Sequence, residues 1–175
     1  EEKKMELVQD IKDEAQWLIR IVENILSITR INQDGAHITT ELEVVEEIVG
    51  SAVQKFGKRF PDVEISVHIP DEVLMVPMDA ILIEQVLVNL MENSVIHGKT
   101  TQNIEITIER QRQKVLFTVE DDGEGISDDV LPEIFEGGLH KNNEEELDGG
   151  RNMGIGLSVC MSIIKAHNGN MQDRK

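Results

Sequence analysis

A lone cysteine, Cys160, leaves this chain with neither an internal disulfide nor a zinc site, and fits a reducing compartment. Basic residues are scarce as well: Lys and Arg number 17 against 34 Asp and Glu, a net charge of −17. Such a surface repels a phosphate backbone, which is held mainly by counterion release, so nucleic acid is not the expected partner. Anionic membrane surfaces are disfavoured for the same reason. No apolar run approaches the roughly 20 residues that span a bilayer, so membrane attachment is expected only through segments outside this sequence. A basic-then-apolar leader and an initiator Met are both missing at Glu1, which reads as the mark of a fragment. What is present is 39% apolar residues over 175 positions, enough for a sizeable core in one domain or a domain with a helical appendage.

Residues 1–32 contain no Pro or Gly, and Val8, Ile11, Ala15, Leu18, Val22, Ile25 and Thr29 recur at three-four spacing. That spacing predicts a helix with a seam for a left-handed helix bundle. One helix cannot bury such a seam alone, which implies a dimer or a missing partner helix; a long helix packed on its own domain is the alternative. Turn chemistry at Asn32 to Gly35 sets a boundary, giving units at 1–34 and 35–175. Beyond it the pattern predicts a short strand at 36–40, a helix over 41–56, and strands at 63–69 and 73–76. Pro77 then opens a helix over about 79–97. Clean alternation predicts strands at 104–109 and 115–120, and a last helix at 155–166 stops at a C-cap, Asn168-Gly169. The economical fold is α+β, an antiparallel sheet covered on one face by helices. Between Asp121 and Gly156 lies an acidic, Gly-rich stretch with a helical piece at 130–135, the length of a functional lid. A further strand is expected after Asn170, where the sequence is nearly at its end.

Three clusters carry chemistry. Asn89 and Asn93 stand one turn apart in the helix over 79–97, so both amides can face one hard cation or phosphate. Two asparagines satisfied by neighbouring backbone is the competing reading, and Glu92 and His97 add polarity to the same stretch. Asp121-Asp-Gly-Glu-Gly125-Ile126 follows a strand directly. Its glycines permit positive φ and close approach of a ligand, and a carboxylate at the strand end can accept from an exocyclic amine such as that of adenine. A plain tight turn is the alternative; a calcium loop is disfavoured because Gly occupies positions where oxygen ligands are needed. Gly149-Gly-Arg-Asn-Met-Gly154-Ile-Gly156-Leu157 is a Gly-rich run entering a helix, where unpaired amides and the helix dipole favour phosphate. A Walker A loop requires Gly-Lys-Ser or Gly-Lys-Thr, and a dinucleotide fingerprint requires a Gly at Val159; neither fits.

In this order the clusters resemble the N, G1 and G2 boxes of the sensor histidine kinases of two-component systems. Gln85 to Asn93 is similar to the N box, Asp121 to Ile126 to the G1 box, Ile134-Phe135-Glu136 to the F box, and Gly154-Ile-Gly156-Leu157 to the G2 box. The resemblance covers nearly the whole chain, and Arg20 to Gly98 is most similar to the KdpD-type potassium-responsive sensor kinases. It implies the Bergerat fold, an α/β sandwich shared with gyrase-type ATPases, with a mainly antiparallel mixed sheet covered on one face by helices and preceded by a long bundle-type helix. Residues 1–34 then resemble the second helix of the dimerisation and phosphotransfer hairpin, and 35–175 the ATP-binding catalytic domain. The implied cofactors are ATP and Mg²⁺. Asn93 would bind the metal, and Asn89 would assist it or contact phosphate. Asp121 would receive the adenine amino group, with Gly123, Gly125 and Ile126 shaping the base pocket and His97 packing beside the nucleotide. Gly154, Ile155, Gly156 and Leu157 would support phosphates and lid, Phe135 would anchor that lid, and Lys99, Lys141 or Arg151 would reach phosphate where relatives place a base at Ile96.

Gyrase-like relatives carry a water-activating Glu where this chain has Asn89. An amide cannot serve as that base, so the site looks built for transfer to a histidine rather than hydrolysis. The family's acceptor-histidine motif is absent, and Gly138 stands where the F box has a second Phe. The implied partners are therefore a hairpin lying mostly upstream, which would form a homodimer, and a response regulator whose Asp receives the phosphoryl group. The implied location is the cytoplasmic domain of a membrane-anchored bacterial sensor. The rival functions are a Ser/Thr protein kinase of the anti-sigma type on the same fold, and a nucleotide-binding interaction module without activity.

Overall fold

The computed structural model describes residues 2–33, 38–125 and 155–173. With no Pro to remove a backbone donor and no Gly to loosen it, the first segment forms one continuous helix, α1 (Glu2–Gln33). It does not bury its seam: Val8, Ile11, Leu18, Val22 and Ile25 are 52–61% exposed. A second and more polar stripe at the same spacing, Arg20, Asn24, Ser27 and Ile31, faces the rest of the chain, and the last three are buried. The helix thus packs on its own domain by one face and keeps the apolar seam uncovered.

The body begins with β1 (Glu41–Val44), followed by α2 (Val45–Arg59). The helix expected over 41–56 therefore starts four residues late and runs to Arg59. Glu41-Leu-Glu-Val44 alternates with period two and pairs antiparallel with β3 (Met75–Met78), Leu42 facing Pro77. That non-local partner overrides local helix preference. Pro77 lies inside β3 rather than at a helix start, tolerated because a two-stranded ribbon consists of edges. Of the strand expected at 36–40, residues 38–40 are not strand, and the others lie outside the described residues.

The second sheet is mixed, in the order β2 (Glu64–His68), β4 (Asn103–Gln111), β5 (Lys114–Asp121). Two residues, Arg112 and Gln113, join β4 to β5 in an antiparallel hairpin that pairs Ile106 with Val119. β2 and β4 run parallel, with Ile65 against Ile104, because the connection between them passes through β3 and α3 (Ala80–Gly98). A parallel pair requires such a crossover. The mainly antiparallel mixed pairing implied by the resemblance is therefore present, divided between two small sheets.

Ile104, Ile106 and Ile108 on β4 are at most 2% exposed, while Glu105 between them and Glu109 just beyond face solvent. Against that one apolar face pack Ile48, Ala52 and Phe56 of α2, Leu82, Leu87 and Met91 of α3, and Val159, Cys160 and Ile163 of α4 (Ile155–Ala166). Each large apolar side chain so buried stabilises the fold by about 1.5–3 kcal/mol. Asp79 caps α3, its carboxylate accepting from the Ile81 and Leu82 amides at 3.1 Å. Beside this cap α4 closes on Asn168 with φ 56, where the Gly169 amide donates to Ile164 O at 2.8 Å. Residues 170–173 form no strand, and the helical piece expected at 130–135 lies outside the described residues.

Candidate functional site

α3 is apolar on most sides because it crosses the centre of the sandwich, and four of its polar residues, Gln85, Asn89, Glu92 and Asn93, share one face. The structure separates the two asparagines. Asn89 is 2% exposed; its Nδ2 donates to Asn24 Oδ1 of α1 at 3.0 Å and its Oδ1 accepts from Gln85 Nε2 at 3.1 Å. The nearby Cys160 thiol donates to Val86 O at 3.8 Å, and burial pushes its pKa up to about 12. Asn93, one turn on, is half-buried and makes no hydrogen bond among the described residues. Gly156, in the first turn of α4, lies beside it, and a Cβ there would stand 3.7 Å from Asn93 Oδ1. An amide without a hydrogen-bond partner among the described residues therefore sits against a helix start whose N–H groups have no intrahelical partner. That is a donor set suited to a metal-chelated phosphate, and Gly156 keeps the approach free of a side chain.

Further along α3, His97 is half-buried, and its Nε2 has no hydrogen-bond partner among the described residues. Burial first, and then the charge of Arg20, holds its pKa below the ordinary 6.5, so the ring is neutral at pH 7. The end of β5 is stitched to this end of α3. Glu124 donates from its amide to Gly98 O at 3.1 Å, and a Cβ on Gly123 would lie 2.7 Å from Gly98 Cα, closer than a side chain permits. Asp121 is exposed at the rim, with Oδ1 accepting from the Gly123 amide at 3.0 Å. Gly125 takes φ 74, the left-handed region that Gly enters without strain. Lys99 pairs with Glu124 at 3.4 Å, both side chains largely exposed.

Three features were not expected from sequence. Asp122 takes the Gln102 and Asn103 amides on Oδ1 at 2.8 and 3.0 Å and Asn103 Nδ2 on Oδ2 at 2.6 Å, tying the start of β4 to the end of β5 beside Asp121. Its signal was legible, since Asp at a strand end favours bonds to nearby backbone. Glu92, 2% exposed, lies between Arg59 at 2.5 Å and Arg20 at 3.4 Å, and Arg59 also reaches Glu23 at 3.3 Å. Burial lowers the Arg59 pKa, but the bonds and charges of Glu92 and Glu23 outweigh it and leave it raised. The third is Asn24; a buried Asn in mid-helix is unfavourable without a partner, and nothing local identifies Asn89 as that partner. Ile126, Phe135, Lys141, Arg151 and Gly154 lie outside the described residues, and Ile155 and Leu157 with Gly156 form the first turn of α4. Among the described residues no three His, Cys, Asp or Glu converge on a metal position, and no helix is long and apolar enough to cross a membrane.

Helices on one face of a mixed sheet, an open amide against a Gly-started helix, and a Gly-rich turn closed on the same central helix define an α+β nucleotide-binding class. Residues 78–174, more than half of the chain, match the family described as histidine kinase-, DNA gyrase B-, and HSP90-like ATPase, and the chain belongs to that family. It is 40% identical over 172 residues to the sensor protein KdpD of Clostridium acetobutylicum, a match covering 98% of this chain. The chain spans 19% of the length of that relative. Among solved structures, the histidine kinase AdeS of Acinetobacter baumannii aligns with a TM-score of 0.62 at 22% identity, covering 91% of this chain and 73% of that one. The catalytic domain of histidine kinase ThkA aligns at 0.59 and 24% identity, covering 73% and 81%. Both share the fold.

Proposed function

We propose that this chain is the ATP-binding catalytic portion of a two-component sensor histidine kinase, with residues 1–34 the second helix of the dimerisation hairpin. The reaction is transfer of the γ-phosphoryl group of ATP to a histidine nitrogen on a hairpin lying mostly upstream, for relay to an Asp of a response regulator. The observation that supports this best is the meeting of Asn93 with the Gly156 end of α4, one turn of α3 from the closed pair Gly98–Gly123 that carries Asp121. Mg²⁺ supplies charge neutralisation on the phosphates when bound. The chain's own residues position the reactants: Asn93 offers its amide oxygen to the metal, Asp121 accepts from the adenine amine, and α4 offers backbone donors to phosphate. Asn89 lacks the basicity to activate water, which favours transfer over hydrolysis. The names of the relatives add the two-component setting, and the likeness to KdpD suggests a bacterial, membrane-anchored sensor with this portion on the cytoplasmic side. The uncovered seam of α1 is the surface on which the other hairpin helix and a second subunit would pack.

Calorimetry with ADP and Mg²⁺ tests the site. Asp121→Asn and Asn93→Ala should each weaken binding at least tenfold while leaving thermal stability near that of the parent. Unchanged affinity in both rejects the proposal. Incubating the chain with ATP, Mg²⁺ and a hairpin bearing the acceptor histidine should give acid-labile phosphate; acid-stable phosphate on Ser indicates a Ser/Thr kinase instead.

A further inference from the structure

The ribbon of β1 and β3 turns one side to the core and, among the described residues, leaves the other bare. From Val73 to Met78 burial alternates with the strand period: Leu74 and Met78 are buried and Val76 partly so, while Val73, Met75 and Pro77 lie exposed. In the register of the pair Leu42 stands opposite Pro77 and diagonal to Met75, which brings the three within side-chain reach on one face. Val73 is 73% exposed, Leu42 64% and Met75 53%, and Ile81, in the first turn of α3 just past the ribbon, is 61% exposed. Apolar residues exposed singly are ordinary, but adjacent ones with a polar rim mark a surface that another molecule covers.

The charge of the rim selects that molecule. From Gly35 to Gln54, and again from Phe60 to Gly98, the sequence has no Lys or Arg. Glu41, Glu46 and Glu47 around β1 and Asp71 and Glu72 ahead of β3 are all exposed. Arg110 of β4 reaches Glu72 at 3.2 Å, but both side chains are more than half exposed, so solvent screens the pair and a competing cation can displace it. Lys commonly guards the open edges of such a ribbon; here carboxylates do. On a chain of net charge −17 they repel a second copy of the same ribbon and attract cations. An occupant must bring apolar side chains for the bare face and positive charge for its rim.

We propose that the outer face of the β1–β3 ribbon is a docking surface for a protein partner that presents an amphipathic helix, its apolar stripe flanked by Lys or Arg. The stripe covers Leu42, Val73, Met75 and Pro77, and the flanking cations meet the carboxylates of the rim. A helix fits better than an added strand, because Pro77 offers no N–H to a strand laid along β3 and β1 is only four residues long. The patch is small, so the contact belongs to the transient class, and its electrostatic share makes it sensitive to salt.

The test uses two fluorescein-labelled peptide helices with a Leu stripe, one flanked by Lys and the other by Glu, titrated with the full chain and followed by anisotropy without nucleotide. The Lys peptide should bind the parent and lose affinity as sodium chloride is added; the Glu peptide should not bind. Leu42→Ser combined with Met75→Ser should weaken binding roughly tenfold or more, and Glu41→Gln combined with Glu47→Gln about threefold. Leu18→Ser, on the exposed seam of α1, should bind like the parent. Backbone amide shifts caused by the Lys peptide should concentrate in 41–44 and 73–78. If the paired Ser substitutions disturb folding, Val73→Ser, outside both strands, takes their place and should show a loss of the same direction. Parental binding by every ribbon variant means attraction to net charge alone and overturns the docking surface, as does a loss confined to Leu18→Ser or no binding of the Lys peptide. A concentration-dependent dimer of the parent in sedimentation, broken by Leu42→Ser, overturns it too, since a second copy would then cover the ribbon.

Discussion

Asp122 is exposed, yet three donors converge on its carboxylate from Gln102 and Asn103. Those bonds favour the charged form and bring its pKa from 3.8 to about 2. The bonds to the Asn103 amide and side chain act most strongly, then the one to Gln102, against a small opposing effect of burial. A carboxyl with a depressed folded pKa stabilises fully above its unfolded value, and that contribution is lost as pH falls through the folded one. Asp122→Asn should therefore lower stability at neutral pH, and the gap from the parent should close as the pH drops from about 4 toward about 2, as followed by urea unfolding at each pH. Beside it, Gly123 faces a different constraint. A Cβ there meets Gly98 Cα at 2.7 Å, and backbone cannot swing aside like the end of a side chain. Gly123→Ala should cost about 1–3 kcal/mol as overpacking and displace Asp121, so chemical denaturation and ADP titration should both register it.

At the scale of elements, the sequence pattern was readable where one face is buried and the partner is near. β4 and β5 alternate cleanly because Ile104, Ile106 and Ile108 all point into the core, and a two-residue loop supplies their pairing. α3 announces itself through Asp79, whose carboxylate takes two first-turn amides. β1 did not, because four residues beside a helix give too short an alternation, and its reason to be extended lies in Met75–Met78, over thirty residues away. The site divides in the same way. The ordered motifs point to Asn93, Asp121 and Gly123, candidates governed by local helix spacing and turn chemistry, and the family resemblance adds His97. That Asn89 faces Asn24, 65 residues away, depends on how α1 lies, which no local pattern encodes. Asp79 also anchors that helix: it pairs with Arg30 at 3.2 Å and donates its amide to His167 Nε2 at 3.0 Å. Asp79→Ala should cost about 1–2 kcal/mol for the lost cap, measured by urea denaturation, and should weaken protection of the α3 amides at Ile81 and Leu82 against hydrogen exchange.

For the molecule as a whole, charge sets a problem that the fold only partly answers. Arg20, Arg30 and Arg59, three of the 17 basic residues, are committed to Glu23, Asp79 and Glu92 around α1 and α3. Even if every cation found an acidic partner, 34 − 17 = 17 negative charges would have none. Two electrostatic effects therefore oppose each other when salt is added. Screening weakens the paired arginines, but Glu92 is buried and its Arg59 contact is short, so this loss is small. Screening also relaxes the repulsion among surplus carboxylates spread over an exposed surface, where screening acts most strongly. The second effect should prevail: the melting temperature should rise by a few degrees between about 0.02 and 0.5 M sodium chloride, near the scale expected when roughly 1 kcal/mol is gained in a domain of this size. A fall instead would mean that the Arg20–Glu92–Arg59 contacts, rather than the net charge, dominate the stability of the folded chain. Measuring the same dependence for Glu92→Gln separates the two contributions, since that variant loses the buried pairing while the surplus drops by a single charge.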